Sequence, residues 1–508
     1  MLEIILSFVN PQTTTVLIFV CVLLLVRYAS KKPANIPPGP PLIPFIGCPQ
    51  IFISSMKKAD TRQVYKLFRE KYGDVFSFYL GSRLIVVING FNCLKEAFVK
   101  KGDVFSDRPH MFTTDKYILA RIRDMGSRIV NTSGDVWWEQ RKFAVSALRQ
   151  LGFGKTSFEA KIQEEVFCFL KMLDEKNGED VNPQKIIQTA VSNIICSIVF
   201  GDRFEYNDPL FTKFLDIFDE NLKMVGGTSL LNFFPILQYL PGDLFKFDRV
   251  LENVEFVQGF IRDTVELHRQ SFNPNKVRDF IDAYLLELDH RRRSDTQTTF
   301  NYDQLVKVIG DLFVGGTETT ATTLRWALIF LVRHPHIQEL MCKEMTNHLG
   351  QDRSPDMAVK PKLIYTRCVI LEIQRMADIA PFSVPHATSE STGFKDYFIP
   401  KGTIVIPNLH SVLKDPEIWK DPEEFRPERF LDSDGKVNKP DEFIPFFIGR
   451  RACLGKNLAK MELYLFITTL VQNFKICPPT SGELPPLKGN PGLTYTPQSY
   501  KVRFIPRN

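Results

Sequence analysis

One long helical pattern constrains the fold of this chain more than any other feature. Between Tyr302 and Val332, apolar residues recur at the spacing of one helix face, and His334-Pro335 ends the pattern. Helical patterns also prevail in the rest of the chain from about residue 60 onward. The sequence therefore predicts a mainly α-helical fold, and no change of composition marks a second domain.

A small β-structure is predicted near the start of the globular body. The runs Val75–Leu80 and Arg83–Ile88 are rich in β-branched and aromatic residues and flank Gly81-Ser82, which is the pattern of a hairpin. Two further stretches are expected to be connections. These are the apolar residues 225–245 and the polar residues 286–299, which carry three consecutive arginines.

The composition narrows the possible classes of protein. Hydrophobic residues make up 44% of the chain and charged residues 24%, which excludes a disordered chain and a multi-span membrane protein. The net charge of +6 is small for 508 residues and gives no support to nucleic-acid binding. Nine cysteines occur without a C-x-x-C pair, which argues against a zinc cluster or a disulfide framework and favours a reducing compartment.

The N-terminus has the pattern of a membrane anchor. Residues 2–26 are almost wholly apolar and three basic residues follow them, so a spanning helix would leave the body of the chain in the cytosol. The alternative, a cleaved signal peptide, needs a basic start and a small-residue cleavage site, and this sequence has neither. We therefore expect an anchor at 1–30, a stiff Pro-rich hinge at 31–45 and a globular body at 46–508.

Inside the long helix, two glycines precede a carboxylate and several hydroxyls, in the order Gly315-Gly316-Thr317-Glu318-Thr319-Thr320. A glycine in a helix interior costs about 1 kcal/mol relative to alanine, and it is useful where a flat group must approach the backbone. The alternative is a glycine-rich helix crossing with solvated threonines. The motif alone does not decide between the two.

A second motif pairs opposite charges. Glu372 and Arg375 lie three residues apart on one helix face, and Arg429, in the Pro-punctuated segment 425–430, offers Glu372 a second partner. Such pairs are common on protein surfaces, so this spacing is a weak signal by itself.

Cys453 has the most specific surroundings of the nine cysteines. It lies in Phe446-Phe447-Ile448-Gly449-Arg450-Arg451-Ala452-Cys453-Leu454-Gly455, directly before a helical pattern at 457–470. Arginines, backbone amides exposed by glycine and a helix N-terminus all stabilise a charged sulfur. A charged sulfur is the interpretation that this pattern favours, against an ordinary structural cysteine before a helix.

These motifs, in this order, resemble the signatures of the cytochrome P450 superfamily. The Cys453 segment resembles the haem-ligand signature, and the motifs at 315–320, 372–375 and 427–430 resemble three others. Trp137-x-x-x-Arg141 resembles the haem-propionate helix. The anchor and hinge resemble the microsomal class, and the whole chain looks most like vertebrate-type family 2. The resemblance implies a large helical domain with a small β-rich N-terminal part and a single N-terminal membrane anchor.

The resemblance also implies haem b with Cys453 as its axial thiolate ligand. Phe446 would pack beside the sulfur, Gly449 and Gly455 would let the loop close on it, and Gly316 would let the cofactor approach the long helix. The residues that would pair with the haem propionates are Arg108, Trp137, Arg141, His386 and Arg451.

Two further groups of residues receive roles from the resemblance. Glu318 and Thr319 would form an acid–alcohol pair that relays protons during oxygen activation, and Glu372, Arg375 and Arg429 would form a structural charge network. A lipophilic substrate such as a fatty acid, a steroid or a xenobiotic would contact an apolar pocket. The residues expected to line it are Phe112, Phe313, Val314, Gly315, Phe382, Val384 and Leu493.

The implied activity is hydroxylation or epoxidation with one oxygen atom from O₂ and electrons from NADPH. The chain shows no flavin or nicotinamide fingerprint, so the electrons would come from NADPH–cytochrome reductase of the endoplasmic reticulum membrane, with cytochrome b5 as a second donor. Basic residues would dock the reductase: Arg141, Lys142, Arg149, Arg450, Lys456 and Lys460. The alternatives are a reductase-independent haem-thiolate isomerase or dehydratase and a non-catalytic haem or lipid carrier. The intact Glu318-Thr319 pair argues against both.

Overall fold

The computed structural model describes residues 14–16, 19–20, 33–57, 59–113, 115, 129–153, 156–294, 298–350 and 353–507. Most of the expected anchor at 1–30 therefore lies outside the described residues, as does much of the stretch before Trp137. Within the described ranges, no helix combines the length and the apolar character that crossing a membrane requires.

Helices form most of the described chain, as the sequence predicts. In chain order they are α1 (Pro49–Met56), α2 (Thr61–Tyr72), α3 (Phe91–Lys95), α4 (Gly134–Gln150), α5 (Thr156–Asp174), α6 (Gln184–Val199), α7 (Pro209–Thr228), α8 (Phe247–Gln270), α9 (Phe280–Arg293), α10 (Tyr302–Arg333), α11 (Pro335–Leu349), α12 (Ile364–Ala377), α13 (His410–Leu413) and α14 (Lys456–Asn473). A π-helical turn at Glu96–Lys100 follows α3. The 3₁₀ turns are Ser229–Asn232, Pro235–Tyr239, Lys360–Lys362, Pro427–Phe430 and Gly449–Arg451.

The strands are short and form small sheets. They are β1 (Val75–Leu80), β2 (Arg83–Ile88), β3 (His386–Ala387), β4 (Thr392–Phe394), β5 (Tyr397–Ile399), β6 (Ile404–Pro407), β7 (Phe474–Cys477), β8 (Gly489–Asn490), β9 (Thr496–Pro497) and β10 (Arg503–Pro506). One sheet has four strands in the order β1-β2-β6-β3, and the pairs β4–β5, β7–β10 and β8–β9 form two-stranded sheets.

The long helix α10 is the centre of the fold. Asn301 caps its start, because its side-chain oxygen accepts a hydrogen bond from the Gln304 N–H at 2.7 Å. Pro335 begins the next helix directly after the last turn. From Thr320 to Val332 every residue of α10 is buried, and α6 and α14 pack beside it in one large core. The prediction of a long buried helix in a mainly helical fold is confirmed.

The four-stranded sheet differs from the expected N-terminal β-part. The predicted hairpin forms with Val75 opposite Ile88, but β2 also pairs in parallel with β6, and β3 completes the sheet. Half of its strands thus come from residues 386–407. These two strands are too short to show a periodic pattern, and their partner lies about 300 residues away.

Two of the expected connections are partly helical. Helix α7 continues to Thr228, and α9 continues to Arg293, so much of the stretch 286–299 is not a loop. Arg291 explains the second case, because its guanidinium pairs with Glu139 of α4 and, at 2.6 Å, with Glu287 one turn earlier. The run of arginines therefore begins with a half-buried helical ion pair and is not wholly a solvated turn.

Candidate active site

The loop that carries Cys453 has one fixed conformation. The Cys453 N–H donates to the Phe446 carbonyl at 2.9 Å, and the Ala452 N–H donates to the Gly449 carbonyl at 3.1 Å. Gly449 has a φ of +74°, and a Cβ at this position would collide with the carbonyl oxygen of Phe98. Only glycine meets both conditions, so Gly449 fixes the loop against the π-helical turn after α3.

The Cys453 thiol is accessible at the surface of the protein atoms, and opposing influences act on its pKa. Cys453 is exposed, yet the protein atoms around it raise the pKa of its thiol by desolvation. The Gly455 N–H and the positive charges of Arg141 and Lys456 act in the opposite direction.

A cavity, with an empty volume of about 440 Å³ that includes space open to solvent, lies between α10 and the segment that leads to Cys453. Hydroxyl groups of α10 border one side of it, and the Phe446 ring borders the other. Its lining residues are Thr319, Thr320, Thr323, Gln374, Asp378, Ile379, Ala380, Leu409, Leu413, Pro445, Phe446, Ala459 and Leu463. The cavity is mostly apolar, as a site for a large flat cofactor requires.

Three arginines meet beside the Cys453 loop without an acidic partner. The Arg451 guanidinium donates to the Ser106 carbonyl at 2.8 Å, and Arg108 donates to the carbonyls of Val384 and Pro385 at 2.9 Å each. Arg141 donates to the Ala452 carbonyl at 2.5 Å, inside the loop itself. In the described ranges, none of the three arginines forms an ion pair with a carboxylate.

Burial and mutual repulsion lower pKa values within this cluster. Burial, followed by the charges of Arg108 and Arg141, lowers the pKa of Arg451 to about 8. Burial and the charge of Arg141 lower the pKa of Arg108 to about 9. Buried like charges of this kind need an anion, and carboxylates match the planar guanidinium.

Trp137 and His386 complete the same cluster with unused hydrogen-bonding atoms. The Trp137 ring lies under the Arg451 guanidinium at 3.9 Å, and the ring of His386 is fully buried, with Nδ1 2.7 Å from the Phe105 carbonyl. Trp137 Nε1 and His386 Nε2 are buried and have no hydrogen-bond partner among the described residues. Two orphaned polar atoms and three unpaired guanidiniums fit a group with two carboxylates, as the haem propionates are.

The predicted acid and alcohol of α10, Glu318 and Thr319, form hydrogen bonds with different partners. The Thr319 hydroxyl donates to the Gly315 carbonyl at 2.7 Å, and its side chain borders the cavity. The Glu318 carboxylate accepts from Thr494 at 2.6 Å and from Thr322 at 3.2 Å. Burial raises the pKa of Glu318, while these two hydrogen bonds lower it.

The two adjacent glycines have different surroundings. A Cβ on Gly315 would meet open space, whereas a Cβ on Gly316 would collide with the Ile195 side chain of α6. Close packing of α6 against α10 is thus one reason for a glycine here, and the assignment of Gly316 to the cofactor stays a prediction. Sequence alone could not separate the two glycines.

The charge network around Glu372 is buried. Arg375 donates to both carboxylate oxygens of Glu372 at 2.8 and 2.9 Å, and both side chains are 0% exposed. Arg429 Nε donates to Glu372 at 3.0 Å, as does the Arg426 N–H. This arrangement is a structural cross-link between α12 and the turn at Pro427–Phe430, remote from bulk solvent.

The seven residues expected in the substrate pocket are not among those that line the cavity described above, and their assignment stays a prediction. Phe313 is 2% exposed and packs edge-on against Phe214 and Phe218. Phe382 packs against Tyr65, and Leu493 is 49% exposed. The remaining four lie as follows: Phe112 near Phe247, Val314 half-buried against the core, Gly315 beside open space, and Val384 with its carbonyl bound to Arg108.

Sequence reasoning missed two partners of the α10 motif. Thr494 binds Glu318 from 176 residues away, and Glu462 of α14 accepts a hydrogen bond from Thr320 at 3.0 Å. Burial raises the pKa of Glu462 to about 8. An acid inside the apolar run around Met461 and Leu463 is the one sequence signal that indicates such a buried carboxyl.

The expected basic face is present in part. Lys142, Arg149 and Lys456 are exposed, whereas Arg450 pairs with Asp103 and Arg141 turns inward. Burial and the charges of Lys456 and Lys439 lower the pKa of Lys460 to about 8. The mutual repulsion of these lysines indicates a local positive patch next to the Cys453 loop.

Comparison with known proteins agrees with this geometry. The family model "Cytochrome P450" matches residues 37–504. Cytochrome P450 2B4 of Oryctolagus cuniculus is 37% identical over 491 residues, covering 96% of this chain and 97% of the relative. Cytochrome P450 2H1 of Gallus gallus is 39% identical, covering 97% of this chain and 99% of the relative. Cytochrome P450 2U1 of Mus musculus is 38% identical, covering 94% and 92%. The chain therefore belongs to the cytochrome P450 family, the haem-thiolate monooxygenases that use O₂ and electrons from NADPH.

Proposed function

We propose that this protein is a microsomal monooxygenase that oxidises a lipophilic substrate with electrons from NADPH–cytochrome reductase. The observation that carries the proposal is the cradle formed by one buried and two half-buried arginines beside the Cys453 loop, Arg451, Arg108 and Arg141. Among the described residues, none of the three forms an ion pair with a carboxylate. A cofactor with two carboxylates and a metal that a thiolate can bind would suit both the arginines and Cys453.

The cofactor of this family is haem, and when bound it supplies the iron that activates O₂. Cys453 would supply the thiolate that binds its iron, and Phe446 would pack beside the cofactor. The three arginines, Trp137 Nε1 and His386 Nε2 would bind its propionates, which removes their mutual repulsion and their unused hydrogen-bonding capacity.

Two side chains of α10 would hold and transfer protons in this reaction. Desolvation raises the pKa of Glu318, so the carboxyl can hold a proton and act as an acid. Thr319 borders the cavity, and its hydroxyl can leave the Gly315 carbonyl to pass a proton onward. Glu372, Arg375 and Arg429 remain a structural network in this account.

The substrate class is proposed from apolar surroundings. Phe214 and Phe218 of α7 pack against Phe313 of α10 in the core, and Leu493 exposes a large apolar side chain next to Thr494. A fatty acid, a steroid or a xenobiotic has the matching character. Hydroxylation or epoxidation is the proposed outcome for such a substrate.

The proposed site of action is the cytosolic face of the endoplasmic reticulum membrane, with residues 1–30 as the anchor. Exposed apolar residues support this placement, since Phe45 is 68% and Ile236 is 75% exposed. The two segments that carry them meet where Phe52 contacts Phe234 at 5.4 Å. The lysine patch near Cys453 supports docking of an acidic reductase, with cytochrome b5 as a second electron donor.

The first experiment tests the cofactor ligand. Cys453→Ala should remove the thiolate-type spectrum of the reduced carbon monoxide complex, because Cys453 follows the cavity-lining Phe446 in the same loop and no cysteine in the described part of the chain lines the cavity itself. Cys477→Ala, on strand β7, is the matched control and should keep the spectrum. A thiolate-type spectrum that persists in Cys453→Ala would contradict the assigned ligand.

The second experiment tests the activity. Thr319→Ala should keep haem but divert electrons from product into peroxide, because it removes the hydroxyl that borders the cavity. Product formation should require NADPH and the reductase. Turnover of a lipid peroxide without either would favour the isomerase or dehydratase alternative.

A further inference from the structure

The C-terminal segment of the chain holds the carboxyl group of Glu318. Thr494 Oγ1 donates to Glu318 Oε1 at 2.6 Å, and Thr322 Oγ1 donates to the same oxygen at 3.2 Å. Thr322 lies one turn further along α10, but Thr494 belongs to the segment between β8 and β9. This contact therefore joins the acid of the long helix to a separate part of the fold.

Thr494 is well placed to hold a fixed position. It is 4% exposed, and the next residue, Tyr495, is anchored at both of its backbone groups. The Tyr495 N–H donates to the Ile379 carbonyl at 2.8 Å, and Trp326 Nε1 donates to the Tyr495 carbonyl at 2.9 Å. The rings of Trp326 and Tyr495 also stack, 5.8 Å apart and 9° from parallel. The hydroxyl that meets Glu318 thus sits on a rigid support.

The two hydrogen bonds decide which oxygen of Glu318 carries a proton. As long as both hydroxyls donate to Oε1, the proton of the neutral acid lies on Oε2. Oε2 has no hydrogen-bond partner among the described residues. The proton of the neutral acid is therefore on the oxygen that is free to give it away.

We propose that Thr494 is a positioning residue for proton delivery: its hydroxyl orients the Glu318 carboxyl so that the transferable proton sits on Oε2. This inference rests on the proposed function, in which Glu318 supplies protons. Thr322 assists from within α10, and the C-terminal segment supplies the orientation that the helix alone does not provide.

The charged groups that face Glu318 are few. Arg325 on α10 lowers its pKa, and Asp219 on α7 raises it, while burial has the largest effect and raises it. The Thr494 hydrogen bond lowers the pKa of Glu318 because it stabilises the charged form. Its removal should therefore move the pKa upward, and a relay that needs the neutral acid should stay active to higher pH.

The test compares Thr494→Val with Thr494→Ser in the full-length, haem-loaded protein with reductase. The valine variant keeps the shape of the side chain and loses the hydroxyl. Product formed per NADPH consumed should fall about three- to tenfold, the ratio expected for one net hydrogen bond. The pH at which coupling is half lost should rise. The serine variant should restore both values, and Thr496→Val, which removes a hydroxyl on β9, should behave as the wild type.

A spectroscopic readout does not depend on turnover. The infrared carboxyl band that disappears in Glu318→Gln should move to higher frequency in Thr494→Val, because its C=O loses a hydrogen bond, and should return in Thr494→Ser. Thr322→Val removes the other hydroxyl from Oε1 and should shift the same band if Thr494→Val fails to fold.

The results distinguish a failure of the proposed proton relay from a failure of the proposed role of Thr494. If Glu318→Gln leaves coupling unchanged, the proposed proton relay is wrong. If Glu318→Gln uncouples the enzyme but Thr494→Val matches the wild type in coupling, pH profile and carboxyl band, the relay stands and the role of Thr494 is overturned.

Discussion

At the scale of single residues, Glu462 is the most unusual group in the core. It is 0% exposed on α14, its Oε2 accepts from Thr320, and its Oε1 has no hydrogen-bond partner among the described residues. Because burial raises its pKa to about 8, the folded protein holds a proton that the unfolded chain releases above its ordinary value of 4.5. Folding is therefore linked to protonation of this carboxyl.

We expect Glu462→Gln to reduce the pH dependence of stability. The native state binds more protons than the unfolded state between pH 4.5 and about 8, so the contribution of Glu462 to the unfolding free energy falls as pH rises through this interval. Glutamine cannot ionise. The variant should therefore gain stability over the wild type as the pH rises. The gain should reach a few kcal/mol, because each unit of pKa difference corresponds to about 1.4 kcal/mol.

Urea unfolding of the haem-loaded protein at several pH values measures this difference. Glu483→Gln is the matched control, because Glu483 is exposed. A difference between Glu462→Gln and the wild type that stays constant across the interval would show that Glu462 is not protonated on folding.

At the scale of elements, the crossing of α6 and α10 depends on Gly316. We expect Gly316→Ala to destabilise the protein by about 1–3 kcal/mol, because its Cβ would collide with Ile195. Gly315→Ala is the matched control. It meets open space and should stabilise the helix by up to about 1 kcal/mol.

A double-mutant cycle tests the contact itself. Gly316→Ala combined with Ile195→Ala should cost less than the sum of the two single variants, because the shortened side chain leaves room for the new methyl group. Unfolding free energies of all four proteins give the coupling. Additive costs would show that Ile195 is not what Gly316 accommodates.

Much of the element structure follows from sequence pattern. The hairpin strands match their predicted bounds, and α10 ends one residue beyond its predicted end, because period-two and period-3.6 patterns are local. The parallel pairing of β2 with β6 was not predictable, since it joins short strands that are far apart in the chain. The prediction of a loop at 286–299 was wrong around Arg291, because a run of charged residues can also belong to a helix that ion pairs stabilise.

The residues of the candidate site also differ in whether a local sequence pattern predicts them. The motif around Cys453 and the pair Glu372–Arg375 could be named because their residues lie close together in the chain. The bond from Thr494 to Glu318 joins residues 176 positions apart, and no local pattern marks it. Sequence thus indicates the chemistry of the α10 acid but not the group that orients it.

At the scale of the whole molecule, the arginine cradle couples folding to the cofactor. Arg108, Arg141 and Arg451 come from separate parts of the chain and meet only in the folded protein. Burial lowers the pKa of all three, and the charges of neighbouring arginines further lower the pKa values of Arg108 and Arg451. The polypeptide therefore contains electrostatic strain that an anionic cofactor relieves. Haem removal should lower the stability of the whole fold and not only that of the Cys453 loop.

The variant Arg141→Gln tests the stability of the haem-free protein and the affinity for haem separately. Removing one of three like charges should stabilise the haem-free protein. The same change should weaken haem binding roughly tenfold to a hundredfold, because a charged hydrogen bond is worth about 1.5–3 kcal/mol. Haem titration and thermal unfolding of both forms measure the two effects. Arg149→Gln, an exposed position on the same helix, is the matched control and should change neither quantity. A variant that destabilises both forms equally would show that Arg141 serves only to hold the Ala452 carbonyl, and that the cradle is not built for an anion.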